Sequence, residues 1–116
     1  MGAAFEVHNV LGGGLSEEIY QQSLALEFDL RSIPFKAKHR LTVNYKGTPL
    51  DTKYIPDFVV FDRIVVELKT VSAFCADHHS QLMNYLRICR LPLGYLINFA
   101  PIGKLDYERI ILSDNH

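Results

Sequence analysis

The residues best suited to chemistry in this sequence lie on two neighbouring apolar segments. Pro56-Asp57 is followed, after nine intervening residues, by Glu67-Leu68-Lys69. Alternate residues of an extended strand share a face, so Glu67 and Lys69 point to one side and Leu68 points to the other. A carboxylate and an ammonium group on one face of an apolar strand are consistent with a reactive site. The same spacing also fits a solvent-exposed face or a cross-strand ion pair with Asp57.

The position of Asp57 relative to Glu67 depends on the loop between the two segments. A two-residue turn at Asp62-Arg63 would pair Asp57 with Leu68 and put the two carboxylates on opposite faces. A three-residue loop, or a bulge in the first strand, would put them on one face. Because the arginine would need positive φ in a two-residue primed turn, the sequence favours the odd-length alternative and predicts convergence. Two converging carboxylates suit a hard cation such as Mg²⁺.

Hydrophobic patterning predicts the elements that hold these residues. A helix is predicted at 3–11, and a second helix begins near Ser16 and is stopped by Pro34. Strands are predicted at 35–45, 54–61 and 64–69, a helix at 75–90, and strands at 94–99 and 105–112. This order predicts a mixed sheet flanked by helices, with a parallel crossover through the last helix. We expect a single domain of residues 1–116.

The second helix is predicted to bury one wide apolar face. Ser16 is a good N-cap, and the acidic residues that follow it complement the helix dipole. The residues of the predicted buried face recur at helical spacing. They are Ile19, Ser23, Leu26 and Leu30, with Tyr20, Leu24 and Phe28 widening the face.

Composition limits the classes of protein to which the chain can belong. Its 116 residues carry a net charge of −1, which excludes a cationic protein that coats nucleic acid through bulk charge. Apolar runs are far shorter than the roughly 20 residues that span a bilayer, so no membrane association is expected. Cys75 and Cys89 form no dense disulfide framework, and a reducing cytoplasm is the expected location.

Pro56-Asp57 and Glu67-Leu68-Lys69 together resemble the signature of the PD-(D/E)XK nuclease superfamily. The predicted order of helix, three strands, helix and strand is similar to the core of that superfamily. The resemblance therefore implies an α/β fold with a restriction-endonuclease-like core, in which helices flank a central mixed sheet. Residues 3–8 and 96–99 extend the similarity over most of the chain.

Two further motifs refine the resemblance. Residues 14–20, which read GLSEEIY, fit the pattern that names the GxxExxY group of the superfamily, although Gly13 stands where the group usually has proline. Gln81 and Tyr85 resemble the QxxxY motif of RecB-like members, and their spacing places both on one helical face. The resemblance implies that both belong to the catalytic site. Taken alone, the pair is more typical of a surface amide and a core aromatic residue.

The resemblance also implies how a metal site would be built. Asp57 and Glu67 would ligate Mg²⁺ or Mn²⁺, with the backbone carbonyl of Leu68 as a further oxygen ligand. Lys69 would position or deprotonate the attacking water and offset charge on the scissile phosphate. Glu17 would supply a third carboxylate or a ligand for a second ion, although an acidic residue in the first turn of a helix is common without any such role.

Other polar residues allow two more interpretations. Cys75, His78 and His79 suggest zinc, but structural zinc usually needs four ligands at characteristic spacing, which disfavours this interpretation. Basic residues can contact phosphates or form a solvated strand face, and the sequence leaves both alternatives open. They are Lys36, Lys38, His39, Arg40, Lys46, Lys53, Arg87 and Arg90.

These features predict a metal-dependent phosphodiester hydrolase, a nuclease or nuclease-like protein, that acts on DNA. Such cleavage needs a metal ion to activate water and to offset the negative charge that develops on the phosphoryl oxygens. The alternative is a non-catalytic module that keeps the nuclease fold and binds nucleic acid or protein. Nucleic acid is the expected partner, and a homodimer or a protein partner would supply specificity to so small a domain.

Overall fold

Three helices and seven strands make up residues 1–112, the part of the chain that the computed structural model describes. The helices are α1 (Gly2–Leu11), α2 (Glu17–Leu30) and α3 (Ala76–Cys89). The strands are β1 (Phe35–Ala37), β2 (Leu41–Tyr45), β3 (Thr48–Tyr54), β4 (Phe58–Val60), β5 (Ile64–Lys69), β6 (Leu93–Asn98) and β7 (Asp106–Ile111). The last four positions of the predicted domain, 113–116, lie outside the described residues. Within residues 1–112, no helix has both the length and the apolar character needed to cross a membrane.

Five of the strands form one mixed sheet in the order β1-β4-β5-β6-β7. Strands β5 and β6 are parallel, and α3 connects them, whereas the other neighbours in this sheet are antiparallel. The predicted α/β class, with a central mixed sheet flanked by helices, is therefore confirmed. Strand β7 lies at the edge of the sheet.

The predicted strand at 35–45 is wrong as a single element, because the chain divides it between two sheets. Strand β1 pairs with β4 in the main sheet, whereas β2 pairs with β3 in a separate two-stranded sheet. Lys38 lies between them with a φ of 54°, which breaks the extended conformation. The predicted strand at 54–61 is interrupted near Pro56, as proline in a strand favours: Tyr54 ends β3 and Pro56 lies in the gap before β4.

Helix α2 buries a different face from the one that its sequence predicts. Ile19, Leu26 and Leu30, from the predicted central stripe, are 43, 61 and 72% exposed. The residues predicted only to widen that face, Tyr20, Leu24 and Phe28, form the buried face instead. Both sets recur at helical spacing, so periodicity alone could not distinguish them. Packing against α1 and β5 determines which set is buried.

The loop between α1 and α2 is closed by contacts with the segment after β6. His8 is buried and its Nε2 lies 2.7 Å from the carbonyl oxygen of Pro101. A Cβ atom on Gly13 would lie only 2.4 Å from the same oxygen, so no larger residue fits there without a shift of the backbone. The hydroxyl of Tyr20 donates to the carbonyl of Gly12 at 2.6 Å and accepts from the N–H of Leu15 at 3.1 Å. Together these contacts fix the start of α2.

Candidate active site

The connection between β4 and β5 decides where the two carboxylates point. Val60 pairs with Ile64, so the loop contains three residues, Phe61, Asp62 and Arg63. Positive φ falls on the first two, at 55° and 57°, and not on the arginine. The pairing extends to Phe58 and Val66, the residues next to Asp57 and Glu67. The odd-length loop that the sequence favours is therefore confirmed.

Asp57 and Glu67 meet at the end of β5, and backbone hydrogen bonds hold both side chains. The N–H of Asp57 donates to Glu67 Oε1 at 3.1 Å. The N–H of Leu68 donates to Asp57 Oδ2 at 2.8 Å. Each carboxylate is thus bound to the backbone beside the other, and the two converge as predicted.

Burial and charge repulsion both act on Glu67. Desolvation, followed by the charge of Asp57, raises the pKa of Glu67 to about 7. The hydrogen bond from the Asp57 backbone and the charge of Lys69 oppose this change in the pKa without cancelling it. Burial and the charge of Glu67 also raise the pKa of the neighbouring Tyr54 phenol well above its usual range. The site therefore favours the protonated form of Glu67 more strongly than water does.

A contact that the sequence analysis missed joins Lys38 to Asp57. Lys38 Nζ donates to Asp57 Oδ1 at 2.9 Å, and its backbone N–H donates to the Asp57 carbonyl at 3.0 Å. The hydrogen bond to Asp57 is the main reason why the pKa of Lys38 is raised. Because β1 pairs with β4 through Ala37 and Phe58, the next residue pair outward is Lys38 and Asp57. The contact follows from that register, which could not be predicted while residues 35–45 were treated as one strand.

Beside these carboxylates, a cavity of about 350 Å³ opens between the sheet and α3. Its lining includes four of the predicted site residues, Glu67, Lys69, Gln81 and Tyr85, together with residues at the end of β3. The residues used below are Lys53, Tyr54, Glu67, Lys69, Gln81 and Tyr85. The ring of Tyr85 stacks on that of Tyr54, with the centroids 3.8 Å apart and the planes 4° from parallel. The predicted QxxxY pair on α3 thus faces the same cavity as Glu67 and Lys69.

Glu17 lies at the start of α2, apart from the lining of this cavity. Its Oε2 accepts a long hydrogen bond of 3.4 Å from the hydroxyl of Thr70, the residue after Lys69. Residues 1–112 contain no group of three or more histidine, cysteine, aspartate or glutamate residues placed to hold a metal ion. The structure therefore brings Asp57 and Glu67 together but does not group Glu17 with them.

Asn98 is a second residue whose importance the sequence analysis missed. Its side chain is fully buried at the end of β6. Its oxygen accepts from the N–H groups of Val71 and Ala100, both at 3.1 Å, and its amide donates to the Val71 carbonyl at 2.8 Å. Asn98 thus joins the segment after Lys69 to the segment against which Gly13 packs. Residues 96–99 are part of the resemblance to the superfamily, but nothing in the sequence indicated this structural role for Asn98.

The three residues that suggested zinc make other contacts. His78 Nδ1 accepts a hydrogen bond of 3.1 Å from the N–H of Cys75 and so caps α3. His79 Nδ1 lies 3.1 Å from Glu108 Oε2 on β7. These contacts give the zinc interpretation no support, and His78 also lines the cavity that contains Glu67 and Lys69.

Asp57 just before β4 meets Glu67 on β5, and Glu67 and Lys69 face a cavity that α3 also lines; together with the mixed sheet, this arrangement defines a restriction-endonuclease-like domain. The family model for the PD-(D/E)XK nuclease superfamily matches residues 1–110. The chain belongs to the PD-(D/E)XK nuclease superfamily, as its motifs predict.

A solved structure supports the same fold. The crystal structure of SSO0001 is similar to this chain, with a TM-score of 0.62 and 20% sequence identity. The similarity covers 81% of this chain and 48% of that protein, so the chain spans about half of its length. At this identity the likeness concerns the fold alone. None of the curated proteins compared with the chain matches it.

Proposed function

We propose that the protein is a metal-dependent phosphodiester hydrolase of the GxxExxY type that acts on DNA. The observation that carries the proposal is the pair of hydrogen bonds by which the Asp57 N–H donates to the Glu67 carboxylate and the Leu68 N–H donates to the Asp57 carboxylate. Lys69 lies two residues further along the same strand and lines the same cavity as Glu67. Carboxylates can hold a divalent cation that activates water, and an ammonium group beside them can offset charge on the phosphate, so the arrangement suits phosphodiester hydrolysis.

The donor atoms of this site fit Mg²⁺ or Mn²⁺. Both ions prefer oxygen ligands, and Mg²⁺ in particular is held by one or two carboxylates and keeps several water molecules. Asp57 and Glu67 supply the carboxylates, and we assign the Leu68 carbonyl and Glu17 as further ligands. When bound, such an ion activates water and offsets charge on the phosphoryl oxygens. Glu67 must lose its proton to become a ligand, which its raised pKa makes dependent on pH near neutrality.

The side chains of the cavity have separate tasks in this proposal. The Lys69 ammonium orients the attacking water and offsets charge on the scissile phosphate. The amide of Gln81 donates to a phosphate oxygen or to that water. Tyr85 is held against Tyr54 by ring stacking, so it acts as a rigid wall of the cavity rather than as a proton donor.

Cleavage assays with matched variants test the proposal. Purified protein is incubated with single-stranded, duplex and branched DNA and with RNA, in Mg²⁺, Mn²⁺ or EDTA. Glu67→Gln and Lys69→Met should each reduce cleavage by at least about 100-fold, because each removes a charge that stabilises the transition state. Glu6→Gln and Lys104→Met change exposed residues and should cleave as the wild type does. Cleavage that persists in both site variants or in EDTA, or no cleavage of any substrate, would overturn the proposal.

One contact favours a second candidate, a nucleic-acid-binding module without catalysis. Both side-chain oxygens of Asp57 already have partners, Lys38 on Oδ1 and the Leu68 N–H on Oδ2. An ion pair in place of a metal ion would leave the cleft able to bind a phosphate backbone without cutting it. Binding of DNA in Mg²⁺ with no cleavage, and with no dependence of affinity on the metal, would select this candidate.

A further inference from the structure

The hairpin of β2 and β3, residues 41–54, projects from the main sheet and is called the arm below. It forms its own two-stranded sheet and shares no strand with the other five. Its turn is Lys46-Gly47, where both residues have positive φ, 50° and 81°, as a primed hairpin turn requires. From residue 44 to residue 52 every position is exposed. The outer half of the arm therefore contributes nothing to the hydrophobic core.

The base of the arm is fixed to α3. Tyr54 is buried and stacks on Tyr85, while Leu41 and Val43 pack against the same apolar cluster. An isolated two-stranded hairpin is marginally stable in water, so these contacts hold the arm in place. The result is a well-anchored ribbon whose outer half is free to contact another molecule.

The exposed part of the arm has the chemistry of a nucleic-acid contact. Tyr45 is 62% exposed, and the ammonium of Lys46 lies 5.5 Å from the centre of its ring. Arg40 and Lys53 add positive charge at the base, against a single acidic residue, Asp51, in a chain whose net charge is −1. Exposed aromatic rings beside basic groups are how proteins hold single strands, by base stacking and phosphate contact.

The arm also leads directly to the candidate active site. Lys53, Tyr54 and Ile55, at the end of the arm, line the same cavity as Glu67 and Lys69. We propose that the arm binds a single-stranded segment of nucleic acid on its way into this cavity, with Tyr45 stacking on a base and Lys46 contacting a phosphate. This inference rests on the proposed function and adds the element that selects an unpaired strand.

Binding measurements in EDTA test the arm separately from cleavage. The full chain is titrated into a fluorescently labelled single-stranded oligonucleotide, and anisotropy is followed at several salt concentrations. Lys46→Ala should reduce the slope of log affinity against log salt by about 0.7, since one phosphate contact is lost. Tyr45→Ala should weaken binding by about tenfold and leave that slope unchanged, because stacking releases no counterions.

Control variants and a duplex probe make the outcome decisive. Lys104→Ala removes an exposed lysine from the loop between β6 and β7, and it should bind as the wild type does. Wild-type binding by both arm variants, or an equal loss in Lys104→Ala, would overturn the proposal. An equal loss on a duplex probe would overturn the assignment to single strands. Because Glu67→Gln should retain the dependence on the arm, loss of cleavage alone does not affect this test.

Discussion

Glu67→Gln should stabilise the protein at alkaline pH when no divalent metal is bound. The raised pKa means that the folded protein holds the Glu67 proton more tightly than the unfolded chain does. Below about pH 4.5, where both states are protonated, this group does not penalise folding. As the pH rises towards 7, the unfolded chain releases the proton first, and the contribution of Glu67 to stability falls. A neutral glutamine removes this dependence while still accepting the hydrogen bond from the Asp57 N–H.

The size of the effect follows from the pKa. A change from 4.5 to about 7 corresponds to about 3 kcal/mol at 1.36 kcal/mol per unit. The free energy of unfolding of Glu67→Gln should therefore exceed that of the wild type by up to about 3 kcal/mol above pH 8, with the difference shrinking below about pH 5. Most single substitutions destabilise a protein, so a gain in stability of this size would identify the buried charge of Glu67 as its cause.

Urea denaturation across this pH range, in EDTA, measures the difference directly. Glu6→Gln is the matched control, because Glu6 is exposed on α1 and its charge is removed by the same change. Mn²⁺ added at alkaline pH should stabilise the wild type more than Glu67→Gln, since metal binding stabilises the folded state through its ligands. A difference between Glu67→Gln and the wild type that does not vary with pH, or that reverses sign above neutrality, would refute the reasoning.

Two further predictions concern contacts around the site. Tyr20→Phe removes the hydrogen bonds to Gly12 and Leu15, so urea denaturation should show a loss of about 1–3 kcal/mol; a loss no larger than that of Tyr107→Phe would contradict this. Lys38→Met removes the ammonium group that competes with a metal ion for Asp57. Calorimetry at low salt should therefore show Mn²⁺ binding about 2- to 5-fold tighter than in the wild type. Unchanged or weaker binding would show that Lys38 does not compete.

Local chemistry in the sequence predicted the centre of the site well. The poor fit of Asp62-Arg63 to a two-residue turn indicated an odd-length loop, and with that loop the Asp57 N–H reaches the Glu67 carboxylate. The four-residue spacing of Gln81 and Tyr85 likewise predicted one shared helix face, which lines the cavity. In both cases the determining interactions lie within a few residues along the chain.

Features that depend on distant packing could not be predicted. Helix α2 has two apolar stripes of equal periodicity, and only its contacts with α1 and β5 select the one that contains Tyr20. The division of residues 35–45 depends on a left-handed conformation at Lys38, which lysine adopts rarely. Whether Glu17 acts as a metal ligand stays a prediction, because its carboxylate contacts Thr70.

The contacts between the first loop and the segment after β6 have a consequence for synthesis of the chain. His8 and Gly13 pack against Pro101, which follows His8 by 93 residues along the chain. A nascent chain that ends before Pro101 has the residues of α1 and α2 but lacks the carbonyl group that closes the loop between them. Translation from the N-terminus therefore completes this support for Glu17 and Tyr20 only after Pro101 has been synthesised. The folding of the first two helices is, in this sense, finished by a segment that is synthesised after every residue of both helices and of β1 to β6.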